Sequence, residues 1–283
     1  MDDGARIERL LGRRPLALQP LQGAGASRAL CARFASGDRV MAKRARPGQP
    51  PRLEARMLAD LRAAGLPVPD ILAVDDGMLV LAWFDHDPAG LPAAAQRAAG
   101  RALAQLHGAP CGDGSGHGYD TTLGGLPQPN PATPRWRDFF RDQRLLLRAD
   151  GALAAGRLPP ALRRRIDGVA ARLDEWIDEP AAPSLLHGDL WGGHMLGRAD
   201  GAVAFINPAI HRGHAEADLA MATLFGSVDM GFLDAYQEAR PLRPGFFTVR
   251  RNVYNLVPLL ALVERTGAAY VPAVEQALEL LGC

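Results

Sequence analysis

The stretch most informative about the fold is Leu185-Leu186-His187-Gly188-Asp189-Leu190-Trp191-Gly192-Gly193-His194. It is typical of a short apolar strand that ends in a polar loop flanked by glycines. A second apolar run, residues 202–206, ends at Asn207, and residues 198–201 between the runs carry an Asp-Gly turn signal. The pattern predicts a hairpin that brings residues near position 190 close to Asn207. A carboxylate, a histidine and an amide would then converge at one sheet edge.

Composition narrows the class of protein. With 283 residues the chain can bury a large core, as one domain or two lobes. Hydrophobic residues make up 48% and charged residues 22%, as is usual for a soluble globular protein. The formal net charge of +1 gives no support for a nucleic-acid surface or a polybasic membrane patch.

The cysteines and the N-terminal residues indicate the cellular compartment. Cys31, Cys111 and Cys283 are too few and too scattered for a disulfide framework or a metal cluster. Residues 1–4 are acidic where a signal peptide would be basic, and no run is long and apolar enough to span a bilayer. We therefore expect a cytoplasmic protein that binds neither nucleic acid nor a membrane. The sequence carries no signal for oligomeric state.

The order of predicted elements suggests two lobes. A glycine-rich loop, whose Gly23 and Gly25 are candidate nucleotide-binding residues, precedes predicted strands, and a helix follows Pro50-Pro51. The strands are predicted at residues 30–34, 39–43, 71–74 and 78–83. Later segments are mainly helical, with helices predicted at 93–107, 136–147 and 160–177 and a long Gly/Pro-rich loop at 108–134. We predict an α+β, bilobal fold, with a small β-rich N-lobe (residues 1–84) and a larger, mainly helical C-lobe (residues 85–283).

Lys43 is a candidate phosphate ligand. It ends an apolar strand after a glycine-rich turn, so its ammonium group can reach nucleotide phosphates, and Glu54 on the next helix can hold it as an ion pair. The alternative is a solvent-exposed lysine and a surface glutamate.

Asp189 is a candidate general base. An aspartate just past a strand and next to Gly188 can point into a cleft and accept a hydroxyl proton, while His187 braces the loop. The alternative is ordinary turn chemistry. Asn207 and His194 are candidate ligands of a metal–nucleotide complex, although Mg²⁺ prefers oxygen ligands that include a carboxylate, and an imidazole suits softer ions. The alternative is that neither residue binds metal.

Other polar residues are given structural roles. His211, His214, Glu216 and Asp218 precede a helical run without zinc-ligand spacing, so we expect them to cap the helix and brace loops. The alternative is contact with the substrate. Cys31 near the glycine loop is either a redox-sensitive thiol or a buried strand cysteine.

Ordered stretches over most of the chain resemble the fructosamine kinase (ketosamine-3-kinase) family, within the aminoglycoside phosphotransferase and choline kinase-like group. The most specific stretches are Leu123-Gly124-Gly125-Leu126-Pro127-Gln128-Pro129-Asn130 and Gly213-His214-Ala215-Glu216-Ala217-Asp218-Leu219-Ala220-Met221, together with His187-Gly188-Asp189-Leu190-Trp191.

The resemblance implies a protein-kinase-like fold and ATP-dependent phosphorylation of a sugar hydroxyl on a fructosamine-type small molecule or a glycated protein amine. It implies that Lys43 binds the phosphates, Glu54 pairs with it and Asp189 is the base. It also implies that the hinge Leu81-Ala82-Trp83-Phe84 contacts adenine, with Mg²⁺ or Mn²⁺ as the metal.

The chain departs from the family pattern at four places. His194 stands where the family has asparagine, Asn207 where it has aspartate, Ala82 where an acidic residue is frequent, and Ala261-Leu262 where an Asn-His pair is expected. Two hypotheses follow: a small-molecule kinase with altered metal dependence, and a non-catalytic pseudokinase relative that binds a nucleotide or a metabolite.

Overall fold

The computed structural model describes residues 2–21 and 29–283. In these ranges the N-lobe contains a five-stranded antiparallel sheet in the order β1-β2-β3-β5-β4. Its strands are β1 (Ala17–Pro20), β2 (Ala29–Arg33), β3 (Arg39–Arg44), β4 (Ile71–Val74) and β5 (Met78–Ala82). The predicted N-lobe strands are therefore confirmed, with the last one ending at Ala82.

Helices cover both faces of this sheet. They are α1 (Asp3–Leu11) and α2 (Pro51–Ala63). Because strand side chains alternate between faces, Val40 packs in one cluster with Ile7 of α1, while its neighbour Met41 packs in another with Leu58 of α2. The alternation holds β3 between two apolar layers, so Lys43 near its end has a fixed position.

The C-lobe is mainly helical. Its helices are α3 (Ala93–Gly108), α4 (Trp136–Phe140), α5 (Leu147–Ala154), α6 (Pro160–Ala171), α7 (Leu173–Trp176), α8 (Glu216–Leu224), α9 (Met230–Gln237), α10 (Arg251–Thr266) and α11 (Val271–Leu280). A π-helical segment at Arg141–Leu146 joins α4 to α5, so the predicted helix 136–147 extends to Ala154. The predicted helix 160–177 was wrong as one element, because the backbone leaves helical geometry at Arg172.

Short antiparallel strand pairs complete the C-lobe. They are β6 (Thr121–Leu123) with β7 (Leu126–Gln128), β8 (Ser184–Leu186) with β11 (His211–Gly213), and β9 (Met195–Gly197) with β10 (Val203–Phe205). The first pair lies inside the segment predicted to be one long loop. Gly124 and Gly125 make its turn with positive φ angles of 57° and 95°, a Gly-Gly signal that the sequence did contain.

The predicted hairpin is confirmed at its turn but not along its whole length. Residues 198–201 do join two antiparallel strands, yet β10 pairs with β9 and not with the strand that precedes His187. The reason is that residues 187–194 form a loop ending in a 3₁₀ turn at Gly192–His194, which moves the chain away from β8 before the hairpin starts.

The α+β class is confirmed by this arrangement of a sheet-containing N-lobe and a helical C-lobe. The lobes share packing, since Met57 and Leu61 of α2 and the following Leu66 belong to the same apolar cluster as the C-lobe helices. Among the described helices, none combines the length and apolar character needed to cross a membrane.

Candidate active site

A buried carboxylate fixes the 187–194 loop. Asp218, in the first turn of α8, is 2% exposed. It accepts hydrogen bonds from the backbone N–H groups of His187 (2.7 Å) and Gly188 (2.8 Å) and from Nε2 of His107 (3.2 Å). Burial acts to raise the Asp218 pKa, but the hydrogen bonds from His107 and from backbone N–H groups outweigh it and leave the pKa lowered. The predicted loop-bracing role of Asp218 is confirmed.

His187 ties the same loop to the end of β10. Its Nε2 donates to the carbonyl of Ile206 (3.1 Å), and its Nδ1 accepts from the backbone N–H of Asp189 (3.3 Å). Burial lowers the pKa of the fully buried ring, so it stays neutral. His187 is therefore a brace, as predicted.

Gly188 is required by a close approach of two backbones. Its φ is +79°, and a Cβ atom there would lie 2.0 Å from the carbonyl oxygen of Ala209. A residue with a side chain would have to push the backbone next to Asp189 away from the segment that precedes β11.

Lys43 brings three segments of the chain together. Its ammonium group donates to Oε1 of Glu54 on α2 and to Oδ1 of Asn207 just after β10. Among the described residues, Asn207 is the only non-glycine with a positive φ, at 57°, a conformation that asparagine tolerates better than most residues. The alternative of a free surface lysine is wrong, because the Lys43 side chain is only 13% exposed.

Both ring nitrogens of His194 are engaged. Nδ1 donates to the backbone carbonyl of Asp189 (2.7 Å), and Nε2 accepts from the indole N–H of Trp191 (3.2 Å). Burial lowers the pKa of His194 to about 3. The imidazole is thus neutral and orients the Asp189 loop, with no ring nitrogen left for a metal.

The donor set fits a magnesium ion only in part. Asn207 offers one neutral oxygen, which already accepts from Lys43, and His194 offers none. In the described part of the chain, no cluster of three or more His, Cys, Asp or Glu side chains is arranged to hold a metal. These residues fit a Mg²⁺ that is held mainly by nucleotide phosphates, with Asn207 as a weak protein ligand.

Asp189 faces a cavity of about 460 Å³ between the lobes, which we call the Asp189 cavity. Its walls include Leu53 and Met57 of α2, Gly124 of the β6–β7 turn, and Leu262 and Arg265 of α10. Burial raises the pKa of Asp189 to about 7, with the Arg265 charge lowering it and the Asp218 charge raising it. A carboxyl group with a pKa near neutrality is suited to exchange protons with a hydroxyl group.

The side chains of the predicted hinge residues lie in different surroundings. Leu81 is buried in the N-lobe core, whereas Phe84 packs against Leu196, Ala204 and Ile206 of the β9–β10 region. The Trp83 indole donates to Asp85 (2.9 Å) and lies under the guanidinium of Arg39, 4.9 Å from the ring centre. Ala82 ends β5.

Two further predictions concern the glycine-rich loop. Gly23 and Gly25 lie outside the described residues. Cys31 is buried in β2, and burial raises the pKa of its thiol, which favours the structural alternative over a reactive thiol.

On α10, sequence reasoning identified Ala261-Leu262 as a departure from the family pattern but missed Arg265. Arg265 gave no local signal, because an arginine near a helix C-terminus is common. Tyr236 was also missed; its hydroxyl lies 3.0 Å from Nδ1 of His107 and extends the Asp218 network into α9. Only a three-dimensional arrangement links these residues to position 189.

Comparison with known proteins agrees with this geometry. The protein-family model for fructosamine kinase matches residues 26–281 of this chain. A probable ketoamine kinase of Synechocystis sp. is 36% identical over 185 residues, which span 64% of this chain and 60% of that protein. The crystal structure of a putative fructosamine-3-kinase from Thermobifida fusca is 32% identical, covers 100% of this chain and 99% of its own, and superposes with a TM-score of 0.86.

A more distant structure supports the fold alone. The macrolide 2'-phosphotransferase of Brachybacterium faecium is 18% identical and superposes with a TM-score of 0.60 over 96% of this chain. The predicted kinase-like fold is thereby confirmed. The braced 187–194 loop, the lysine bridge and the match over nearly the whole chain lead to one identification: this protein is a member of the fructosamine kinase family.

Proposed function

We propose that the protein is an ATP-dependent ketoamine kinase, which transfers the γ-phosphoryl group of ATP to a sugar hydroxyl of a ketoamine. The observation that carries this proposal is the lysine bridge. Lys43 joins Glu54 and Asn207 at the edge of a cavity that Asp189 also lines. A phosphate-binding cation and a carboxylate base are thereby held at one cleft between two lobes, which is what phosphoryl transfer requires.

In this proposal each residue has a defined task. Asp189 accepts the proton of the acceptor hydroxyl, whose oxygen forms a bond to the γ-phosphorus while the bond to the β-phosphate oxygen breaks and ADP leaves. Lys43 binds the phosphates, and Glu54 keeps its ammonium group in place. The hinge from Leu81 to Phe84 contacts adenine. Mg²⁺ or Mn²⁺, when bound with ATP, neutralises phosphate charge beside Asn207.

The departures at Asn207 and His194 do not favour the pseudokinase alternative. Asn207 keeps its oxygen directed at Lys43, and His194 uses its ring to position the Asp189 backbone. Asn207 therefore supports the position of Lys43, and His194 supports the loop that carries Asp189. We expect the protein to be active. Its activity should depend less on which metal is bound than it would with a carboxylate ligand in place of Asn207.

The test is a kinase assay on the purified full chain. ATP and N-(1-deoxyfructosyl)glycine are incubated with Mg²⁺ or Mn²⁺, ADP is measured by a coupled assay, and the product is checked by mass spectrometry for one added phosphoryl group. Acceptor-dependent ADP release together with that product supports the proposal. Stabilisation by ATP in a thermal-shift titration without turnover of any ketoamine would instead support the pseudokinase.

A further inference from the structure

The β6–β7 hairpin lies between the two lobes, beside the Asp189 cavity. Thr122, Leu123 and Gly124 line the cavity. On the N-lobe side, a Cβ atom at Gly48 would lie 2.1 Å from the carbonyl oxygen of Gly125, so the two backbones are in direct contact. The hairpin is therefore part of the interface between the lobes.

Two buried arginines hold the hairpin on its C-lobe side. Arg148 donates from Nη2 to the backbone carbonyl of Pro127 (2.9 Å). Arg144 donates from Nη1 to the backbone carbonyl of Pro129 (2.9 Å) and from Nη2 to the side-chain oxygen of Asn130. Because carbonyl groups on both sides of residue 128 are bound to the C-lobe, this part of the chain has a fixed position.

The buried side chain of Gln128 joins the hairpin to the segment that precedes β11. Its Nε2 donates to the backbone carbonyl of Ala209 (2.8 Å) and to Oγ1 of Thr121 (2.8 Å). The Thr121 hydroxyl gives its own proton to the carbonyl of Ile210 (3.2 Å), so toward Gln128 it is an acceptor. Two acceptors require an NH₂ group, which fixes the orientation of the carboxamide. Nδ1 of His211 lies farther from the same Ala209 oxygen, at 3.3 Å.

Ala209 is in direct contact with the 187–194 loop. Its carbonyl oxygen is the atom that a Cβ at Gly188 would approach to 2.0 Å. Its backbone N–H donates to the carbonyl of His187 (2.8 Å). By binding the Ala209 carbonyl, Gln128 therefore fixes the group against which the two residues before the base are packed.

We infer that Gln128 is a positioning residue for phosphoryl transfer, which sets the place of the backbone that carries Asp189 through the Ala209 carbonyl. This inference rests on the proposed function and gives the family-specific stretch Leu123–Asn130 a part in it. Gln128 is not among the described residues that line the Asp189 cavity, so it acts through the backbone and not by contact with the substrate. Such an effect is large, because a displacement of about 1 Å costs up to about 100-fold in rate.

The test is Gln128→Met, which keeps the length of the side chain and removes both donors. We expect kcat with N-(1-deoxyfructosyl)glycine to fall by about tenfold or more. The Kd for ATP, measured by isothermal titration calorimetry, should stay unchanged because Lys43 and Glu54 are intact. The same titration gives the fraction of chains that bind ATP, and kcat is expressed per binding chain. A merely structural role would lower Tm and that fraction but leave this kcat unchanged.

Asn252→Leu is the control for loss of a buried carboxamide. Asn252 is buried on α10, its Nδ2 donates to the backbone carbonyl of Thr248 (3.2 Å), and it is absent from the described lining of the cavity. Its replacement should lower Tm and leave kcat per binding chain intact. An unchanged kcat in Gln128→Met, or an equal fall in both variants, overturns the inference.

Hydrogen–deuterium exchange separates this inference from the proposed function, because it needs no turnover. The backbone N–H groups of His187 and Gly188 donate to Asp218. In Gln128→Met they should exchange about tenfold faster, the factor expected for one lost hydrogen bond, while exchange in α3 stays unchanged. If no ketoamine is phosphorylated, the kinase proposal fails, and this local increase still supports the positioning of the loop. Exchange at the wild-type rate, or an equal increase in α3, refutes it.

Discussion

Replacement of Asp218 by asparagine tests the buried network beneath the 187–194 loop. The Asp218 carboxylate accepts three hydrogen bonds, from His187, Gly188 and His107. An amide keeps one oxygen and turns an NH₂ group toward a donor, so at least one hydrogen bond to a charged acceptor is lost in a buried site. A loss of this kind costs roughly 1.5–3 kcal/mol, and the weakening of the remaining ones brings the expected total to about 3 kcal/mol.

Two measurements check the Asp218→Asn variant. In thermal unfolding, about 3 kcal/mol should lower Tm by roughly 6–12 °C for a chain of this size. In the kinase assay, displacement of the backbone that carries Asp189 should lower kcat by about 100-fold. Because the folded pKa of Asp218 lies below its ordinary value of 3.8, its contribution is complete above that value and is lost as pH falls through the folded pKa. The stability difference should therefore be constant between about pH 5 and pH 8.

Asp174→Asn is the matched control. Asp174 is an exposed carboxylate in the first turn of α7, so its replacement should cost less than about 1 kcal/mol and leave kcat unchanged. Equal stability of Asp218→Asn and the wild type, or an unchanged kcat, would refute the bracing role of Asp218.

Three other predictions follow from the same geometry. Gly188→Ala should destabilise the protein by at least about 3 kcal/mol in urea denaturation, because the new Cβ atom meets a backbone oxygen. Gly156→Ala is the control: Gly156 has a similar φ of 68° but lies in open space, so this change should cost about 1 kcal/mol. Equal costs for the two variants would contradict the close approach at Gly188. Asn207→Asp should lower the Mg²⁺ concentration for half-maximal activity by roughly tenfold or more, since it supplies a carboxylate ligand; an unchanged metal titration would argue against metal at this position. Burial lowers the pKa of His211 well below 6.5, so on acidification this histidine takes up a proton in the unfolded chain but not in the folded one. The free energy of unfolding should therefore fall as pH drops below about 6.5, by up to about 1.4 kcal/mol per pH unit. In urea denaturation between about pH 6.5 and 5.5, His211→Gln should lose correspondingly less stability.

Local patterns in the sequence were sufficient for four of the five described N-lobe strands, β1 being the one missed, and for the loop that carries Asp189. The β2–β3 pair and the turn at 198–201 were predictable because alternating apolar residues and Asp-Gly signals act over a few positions. The pairing of β8 with β11 was not, because the strand His211–Gly213 has no apolar pattern and depends on a partner 25 or more positions earlier in the chain. Its close fit depends on Gly213, where a Cβ would lie 2.2 Å from the Trp136 ring.

Helix α1 was missed for a different reason. Four of its nine residues are charged, and Ile7 is the one fully buried side chain within Asp3–Leu11, so the periodic signal is short. Its N-cap, Asp2, which accepts from the backbone N–H of Ala5 (2.7 Å), is a recognisable start signal in retrospect.

Within the candidate site, the residues could be predicted from the sequence, but their hydrogen-bond partners could not. Lys43, Glu54 and Asn207 were identified individually, and the structure brings them together. The engagement of both His194 nitrogens depends on how Trp191 folds back over the 3₁₀ turn, 4.9 Å between ring centres, which residue spacing alone does not encode. Arg265 could be recognised as a residue of the site only from the cavity in the structure.

The measurement that tests the central claim most directly is turnover by Asp189→Asn. Asparagine has the same shape but cannot accept the hydroxyl proton, so we expect kcat with a ketoamine and ATP to fall by about 100-fold to 10,000-fold. Stabilisation by ATP in a thermal-shift titration should be preserved, because Lys43 is unaltered. Turnover within a few-fold of the wild type would contradict the assignment of Asp189 as the base.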